Sequence, residues 1–149
     1  MSEATQNNEA VEQRKRKSGI PTGNAGEYFV MGELPKRGYD AQLADRNTKK
    51  YDVLVGREQD KELCKVQIKT VRAQLWYVRA SDLNVDAIVQ TTIYVLLGAT
   101  DSKKPVRYFI AKNLDLAEHV HQPAGWRSCA FMSLRAVVRF EDNWPALLQ

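Results

Sequence analysis

The stretch from Tyr51 to Thr70, YDVLVGREQDKELCKVQIKT, constrains the fold more than any other. It holds two β-type runs joined by a polar turn. The first is Tyr51-Asp52-Val53-Leu54-Val55, and the second is Leu63-Cys64-Lys65-Val66-Gln67-Ile68-Lys69-Thr70. Successive side chains on a strand point to opposite faces. Cys64, Val66 and Ile68 therefore share an apolar face, and Lys65, Gln67 and Lys69 share the other. Asp52 faces away from Val53 and Val55. Pairing of the two runs as a hairpin, with its tip near residues 56–61, brings Asp52 toward Gln67 and Lys69. A carboxylate, an amide oxygen and a lysine then meet on one sheet edge. Such a set can hold a hard divalent cation and position a water beside it.

The flanking segments supply the rest of a single core. Residues 1–22 are polar and carry the run Arg14-Lys15-Arg16-Lys17, so they read as a flexible tail. The run is either a solvated tail or an arm that contacts phosphates. Gly23 to Gly38 reads as a helix. Glu27, Val30, Met31 and Leu34 fall at i, i+3, i+4 and i+7, one helical face. A carboxylate on an apolar stripe is costly unless paired or bound to a metal. Glu27 is also an ordinary acid for a first helical turn. Pro35 predicts a kink or an early stop near Leu34, and Gly38 is a helix-terminating residue. Tyr39 to Asp45 reads as a strand, and residues 46–50 read as a polar turn.

Beyond the hairpin, Gln74 to Val78 reads as a strand with Trp76 and Tyr77 on opposite sides. An exposed aromatic beside Arg72 and Arg79 would stack on a base or sugar; the other reading is core packing. Residues 81–90 fit either a short helix capped by Ser81 or Asp82, or a loop. Thr92 to Leu97 is apolar on both faces and predicts a buried strand, with Val106 to Ala111 as its hairpin partner. Asn113 to His121 reads as a short helix capped by Asn113. His119 and His121 stand two apart and do not share a helix face, which argues against a metal pair. Ser128 to Phe140 alternates loosely, and Asn143-Trp144-Pro145 opens a last short helix. Trp126 and Trp144 read as core closers.

A chain of 149 residues suits one domain, read here as 23–149 behind the tail. No apolar run is long enough to span a membrane, and the start lacks a signal-peptide core, so the expectation is a cytoplasmic protein. Cys64 and Cys129 are far apart and support neither a zinc knuckle nor a disulfide framework. A net charge of +4 is compatible with a nucleic-acid partner. No glycine-rich phosphate loop and no nucleophilic triad is visible, which removes support for nucleotide hydrolysis and acyl transfer.

Four motifs in order resemble the PD-(D/E)XK nuclease superfamily: Gly26-Glu27 in the first helix, Arg37-Gly38-Tyr39 before a strand, Tyr51-Asp52, and Gln67-Ile68-Lys69-Thr70. The pattern spans roughly Gly23 to Ile110. The resemblance implies a restriction-endonuclease-like α/β/α core with a mixed β-sheet flanked by helices. It implies a metal-dependent endonuclease using Mg²⁺ or Mn²⁺ on DNA, with a homodimer as a family analogy. Asp52 would be the main metal ligand, with Gln67 and Glu27 completing the set, and the Ile68 carbonyl could help. Lys69 would orient the attacking water and offset developing charge. Glu27, Asp52, Gln67 and Lys69 are expected to converge on one cleft. Gln67 departs from the family pattern, which has an acid there. The alternative is therefore an inactive module of the same fold that binds DNA or assembles with a partner. A third reading makes Asp52 and Lys69 an ordinary ion pair between strands.

Overall fold

A computed structural model describes residues 19–45, 50–60, 62–84, 87 and 89–148. The expected tail up to residue 18, its basic run included, and most of the turn at 46–50 lie outside the described residues. The first helix, α1 (Gly19–Lys36), starts four residues before the expected Gly23, so the expected boundary after Thr22 falls inside it. It runs through Pro35 to Lys36. Pro35 has no N–H for the Met31 carbonyl and costs the helix that bond, and the helix ends one residue later, at Lys36. There the helix closes with a glycine cap: Tyr39 N donates to Leu34 O, Gly38 N donates to Pro35 O, and Gly38 has φ +86°. Both bonds satisfy carbonyls that the helix end would leave unpaired, and only glycine takes that φ without strain.

The main sheet has the order β1-β2-β3-β5-β6, from β1 (Asp40–Leu43), β2 (Val53–Gly56), β3 (Cys64–Val71), β5 (Thr91–Leu96) and β6 (Arg107–Lys112). All neighbours are antiparallel except β3 and β5, so the sheet is mixed. Strand β5 is buried on both faces, as its apolar run predicts. The remaining strands, β4 (Leu75–Arg79) and β7 (Cys129–Ser133), form a separate antiparallel ribbon.

Strand parity sorts the core into two layers. On one face, Val30 and Leu34 of α1 pack on Val53, Val66, Ile68 and Ile93. Trp144, in the 3-10 turn Trp144–Leu147, closes this layer, as expected. On the other face, Trp76 and Val78 of β4 and Met132 of β7 pack on Tyr94 and Phe109. Trp76 meets both rings edge-on at 5.5 and 6.0 Å, and its indole N–H donates to Val95 O at 3.2 Å. That pairing removes the cost of burying the indole N–H. Leu116 of the one-turn helix α2 (Asn113–Leu116) and Val137 of α3 (Leu134–Val137) complete the layer. The far layer is thus a β-ribbon with one-turn helices rather than long helices.

Three local expectations change: the helix expected over 113–121 stops at Leu116, and His121 instead bridges to Phe131. Asn113 caps no helix: it is buried, its amide donates to Asp82 O and Val89 O, and its oxygen accepts from Thr92 Oγ1 at 2.7 Å. A cap needs its side chain directed at its own helix, and here tertiary partners have taken it. Trp126 is not a core closer but lies on the surface, 39% exposed.

Candidate active site

Strands β2 and β3 pair with Val53 opposite Val66, Leu54 opposite Lys65 and Val55 opposite Cys64. The Asp52 amide also donates to Val66 O, at 2.9 Å. Asp52 and Val53 therefore both oppose Val66. This is a β-bulge, a feature that re-aims a side chain and ends regular pairing. Beyond it, β2 no longer supplies backbone to β3. The Asp52 carboxylate does so instead: Oδ2 accepts the Ile68 N–H at 2.7 Å. A carboxylate accepting a backbone N–H makes a strong, short hydrogen bond. The aspartate is thus held in one rotamer at the point where β3 loses its partner strand.

The same parity places a second oxygen on this edge. The N–H and C=O of one strand residue leave on the same side of the chain. Ile68 therefore directs its carbonyl to the edge where its N–H meets Asp52. Gln67 and Lys69 alternate with Ile68 and turn to the ribbon-side face, next to Thr92 and Tyr94 of β5, and both are half-buried. Asp52, Gln67, Ile68 and Lys69 are thus neighbours at one bulged strand edge. Among the described residues Asp52 and Lys69 form no ion pair, so the reading of an ordinary strand-to-strand pair gains no support.

Glu27 belongs to α1, not to the hairpin. Helix α1 lies on the face of Val66 and Ile68, opposite the face of Gln67 and Lys69. Its Gly26 lies so close to Thr70 that a Cβ there would overlap the threonine hydroxyl. Glu27 is one residue from that contact, and Thr70 is one residue from Lys69. The backbone of Glu27 therefore lies on the side of the sheet away from the Gln67 and Lys69 side chains. The close Gly26–Thr70 approach and the bulge were not legible in the chain. The glycine and threonine are visible as letters, but nothing local marks them as touching.

The donor set has the chemistry of a hard cation site: one carboxylate, one side-chain amide oxygen and one backbone carbonyl. Among the described residues no group of three or more His, Cys, Asp or Glu gathers at one place that could hold a metal ion. Cys64, at the start of β3, is buried and hydrogen-bonds to Thr91, and burial raises its thiol pKa. His119 bonds to Arg139, and His121 packs on Phe131 at 4.6 Å.

No model of a known protein family matches the chain, and no curated protein matches it. Solved structures do. A bacterial homing endonuclease, I-Ssp6803I, matches with a TM-score of 0.52 at 14% identity, over 85% of this chain and 90% of that one. The Holliday junction resolvase Hjc of Archaeoglobus fulgidus matches with a TM-score of 0.49 at 13% identity, over 78% of this chain and 88% of that one. Together with the mixed sheet, the bulged β2–β3 hairpin and the helix across it, the likeness to the homing endonuclease establishes the fold: the chain has the nuclease-like α/β fold of that structure.

Proposed function

We propose that the protein hydrolyses phosphodiester bonds in DNA at the Asp52–Gln67–Lys69 edge, with a divalent cation as cofactor. The observation that carries this reading is the Asp52 carboxylate, fixed on the Ile68 N–H at the bulge, beside a carbonyl and a lysine. The nuclease fold supports it. Asp52, Gln67 and the Ile68 carbonyl would hold Mg²⁺ or Mn²⁺, with Glu27 completing the set from the helix. When bound, the cation polarises the phosphoryl oxygen and lowers the pKa of a coordinated water. The Ile68 N–H keeps Asp52 in place. Gln67 contributes an oxygen without charge. Lys69 donates to the attacking water, orients it, and offsets the negative charge that grows on the phosphoryl oxygens. Arg72, Arg79 and the run Arg14 to Lys17 would bind backbone phosphates. The protein would act in the cytoplasm, and cutting of both strands would call for a homodimer.

The test is incubation of the purified protein with plasmid and linear DNA in Mg²⁺, Mn²⁺ or EDTA, beside Lys69→Ala. Metal-dependent cleavage that falls about a hundredfold or more in Lys69→Ala is the expected outcome, the loss typical for one electrostatic donor. Equal cutting by the variant would place any activity elsewhere. No cutting by the parent would leave a DNA-binding module of nuclease fold, the reading that Gln67 favours.

A further inference from the structure

The outer face of the β4–β7 ribbon is not used by the site. Its register pairs Leu75 with Ser133, Tyr77 with Phe131 and Arg79 with Cys129. The intervening residues, Trp76, Val78, Ala130 and Met132, are buried against the main sheet. Tyr77 and Phe131 therefore stand side by side on the outward face, and Tyr77 is 60% exposed. Trp126 joins them from the preceding loop, with its ring centroid 6.3 Å from Tyr77 and 6.0 Å from Phe131.

That loop is built to present the indole. Trp126 N donates to Pro123 O at 3.1 Å, and Gly125 has φ +88°, the geometry of a type II turn. The Gln122 amide donates to the carbonyls of Trp126 and Arg127 at 3.2 and 3.3 Å. His121 is tied to Phe131 by backbone bonds in both directions, at 2.8 and 2.9 Å. An exposed tryptophan on a pinned turn keeps apolar surface in water at a cost, and the fold has not used it for the core.

The surroundings decide what would cover it. Residues 72–79 and 121–135 contain Arg72, Arg79, Arg127 and Arg135 and no aspartate or glutamate. Arg72 and Arg135 flank one end of the ribbon, at the Leu75–Ser133 pair. Arg79 and Arg127 lie at the other, at Arg79–Cys129. All four are exposed. Aromatic faces between guanidinium groups, with no acid among them, suit a ligand with flat rings on an anionic backbone. In a duplex the base faces are already stacked on each other. Only unpaired nucleotides offer rings to Tyr77 and Trp126.

We infer that this ribbon face binds unpaired nucleotides by stacking, so that the substrate carries a single-stranded or distorted segment beside the bond that is cut. The inference rests on the nuclease reading for its link to cleavage. Strand β4 begins at Leu75, shortly after β3 ends at Val71, so the platform and Lys69 are joined by one short exposed turn.

The test reads binding without cleavage. The full chain in EDTA is titrated with an oligothymidylate of about 15 nucleotides, near the upper end of such site sizes, and with a duplex of equal length. Trp76 and Trp144 are buried, so quenching of tryptophan fluorescence reports on Trp126 in the parent, and affinities of the parent and every variant are compared by the anisotropy of fluorescein-labelled oligonucleotides. Quenching by the single strand is expected. Tyr77→Ala and Trp126→Ala should each weaken that binding from about fivefold to more than a hundredfold, the effect of losing one stacking partner. Tyr77→Phe, which keeps the ring, should bind like the parent, and duplex affinity should change little in all three. Both side chains are exposed, so thermal melting should match the parent. Single-strand binding that is equal in the parent and both alanine variants overturns the inference, as does loss of duplex and single-strand binding to the same extent. Plasmid cleavage scored on the same variants separates the two readings. Cleavage without platform-dependent binding sinks the platform alone, and platform-dependent binding without cleavage sinks the nuclease reading alone.

Discussion

Gln67 sets the charge at the candidate site, and its replacement is the most direct probe of that site. A carboxylate there adds a negative charge beside Asp52 in a half-buried position. At about 4 Å and an effective dielectric near 20, two unit charges interact by roughly 4 kcal/mol. Gln67→Glu should therefore raise Mg²⁺ affinity and keep or raise cleavage, and Gln67→Ala should lower both. Isothermal titration with Mg²⁺, alongside a cleavage assay across the same concentrations, checks this. The opposite order would remove Gln67 from the ligand set. Gly26 carries a second prediction at this scale. A methyl group at residue 26 would meet the Thr70 side chain, so Gly26→Ala must push α1 away from β3. Overpacking of this kind costs about 1–3 kcal/mol. It should also move Glu27 relative to Lys69, so cleavage should fall by more than the fraction unfolded. Urea unfolding and activity measured on one preparation separate the two effects.

At the scale of elements, the ribbon depends on one side chain. Trp76 is 1% exposed and joins β4 to β5 and β6 through two edge-on ring contacts and one hydrogen bond. Trp76→Ala should destabilise the protein by about 3–5 kcal/mol, the range for a buried large aromatic. Its neighbour Tyr77 faces solvent, and Tyr77→Ala should leave the urea midpoint within about 0.5 kcal/mol of the parent. Alternation along β4 is the physical reason for the contrast. Alternation was legible in the chain, but the choice of which aromatic goes inward was not. That choice follows from which face of β4 meets Tyr94 and Phe109, and this depends on how the ribbon docks on the sheet.

For the whole molecule, the pH dependence of stability has a definite sign at the alkaline end. Tyr108 packs on Trp144 at 5.4 Å, and burial, with Glu33 nearby, pushes its phenol from an ordinary value near 10 up to about 12. The folded state thus holds the proton more tightly than the unfolded chain. Its stabilising contribution is complete below pH 10 and is lost as pH rises from about 10 to 12. Tyr108→Phe should flatten the fall in urea midpoint across that window, and an unchanged slope would show that other groups cause it. The tail is also a property of the whole molecule, through long-range charge. A chain beginning at Gly19 should bind duplex DNA more weakly, and its log-affinity should depend less on log-salt, by about 0.9 for each phosphate that the basic run neutralises. Identical salt slopes would make Arg14 to Lys17 a bland tail.

What the chain determined by itself is local. Alternation in Tyr51–Thr70 is enough for a hairpin with an apolar back and for Gln67 and Lys69 on one face. The apolar stripe of Val30, Met31 and Leu34, ended by Gly38, is enough for the helix and its cap. These follow because strand and helix periods act over a few residues. Tertiary structure decided everything that needs residues distant in sequence to touch. The bulge that turns Asp52 onto Ile68 N–H exists because β2 stops short of β3. Asn113 became a buried tie, rather than a cap, because Thr92, Asp82 and Val89 converge on it. Trp126 stayed outside because β4 and β7 pair with each other and their inward faces already fill the layer. Each outcome is set by which surfaces dock, and docking is a competition among burial, hydrogen bonding and space that no single segment contains.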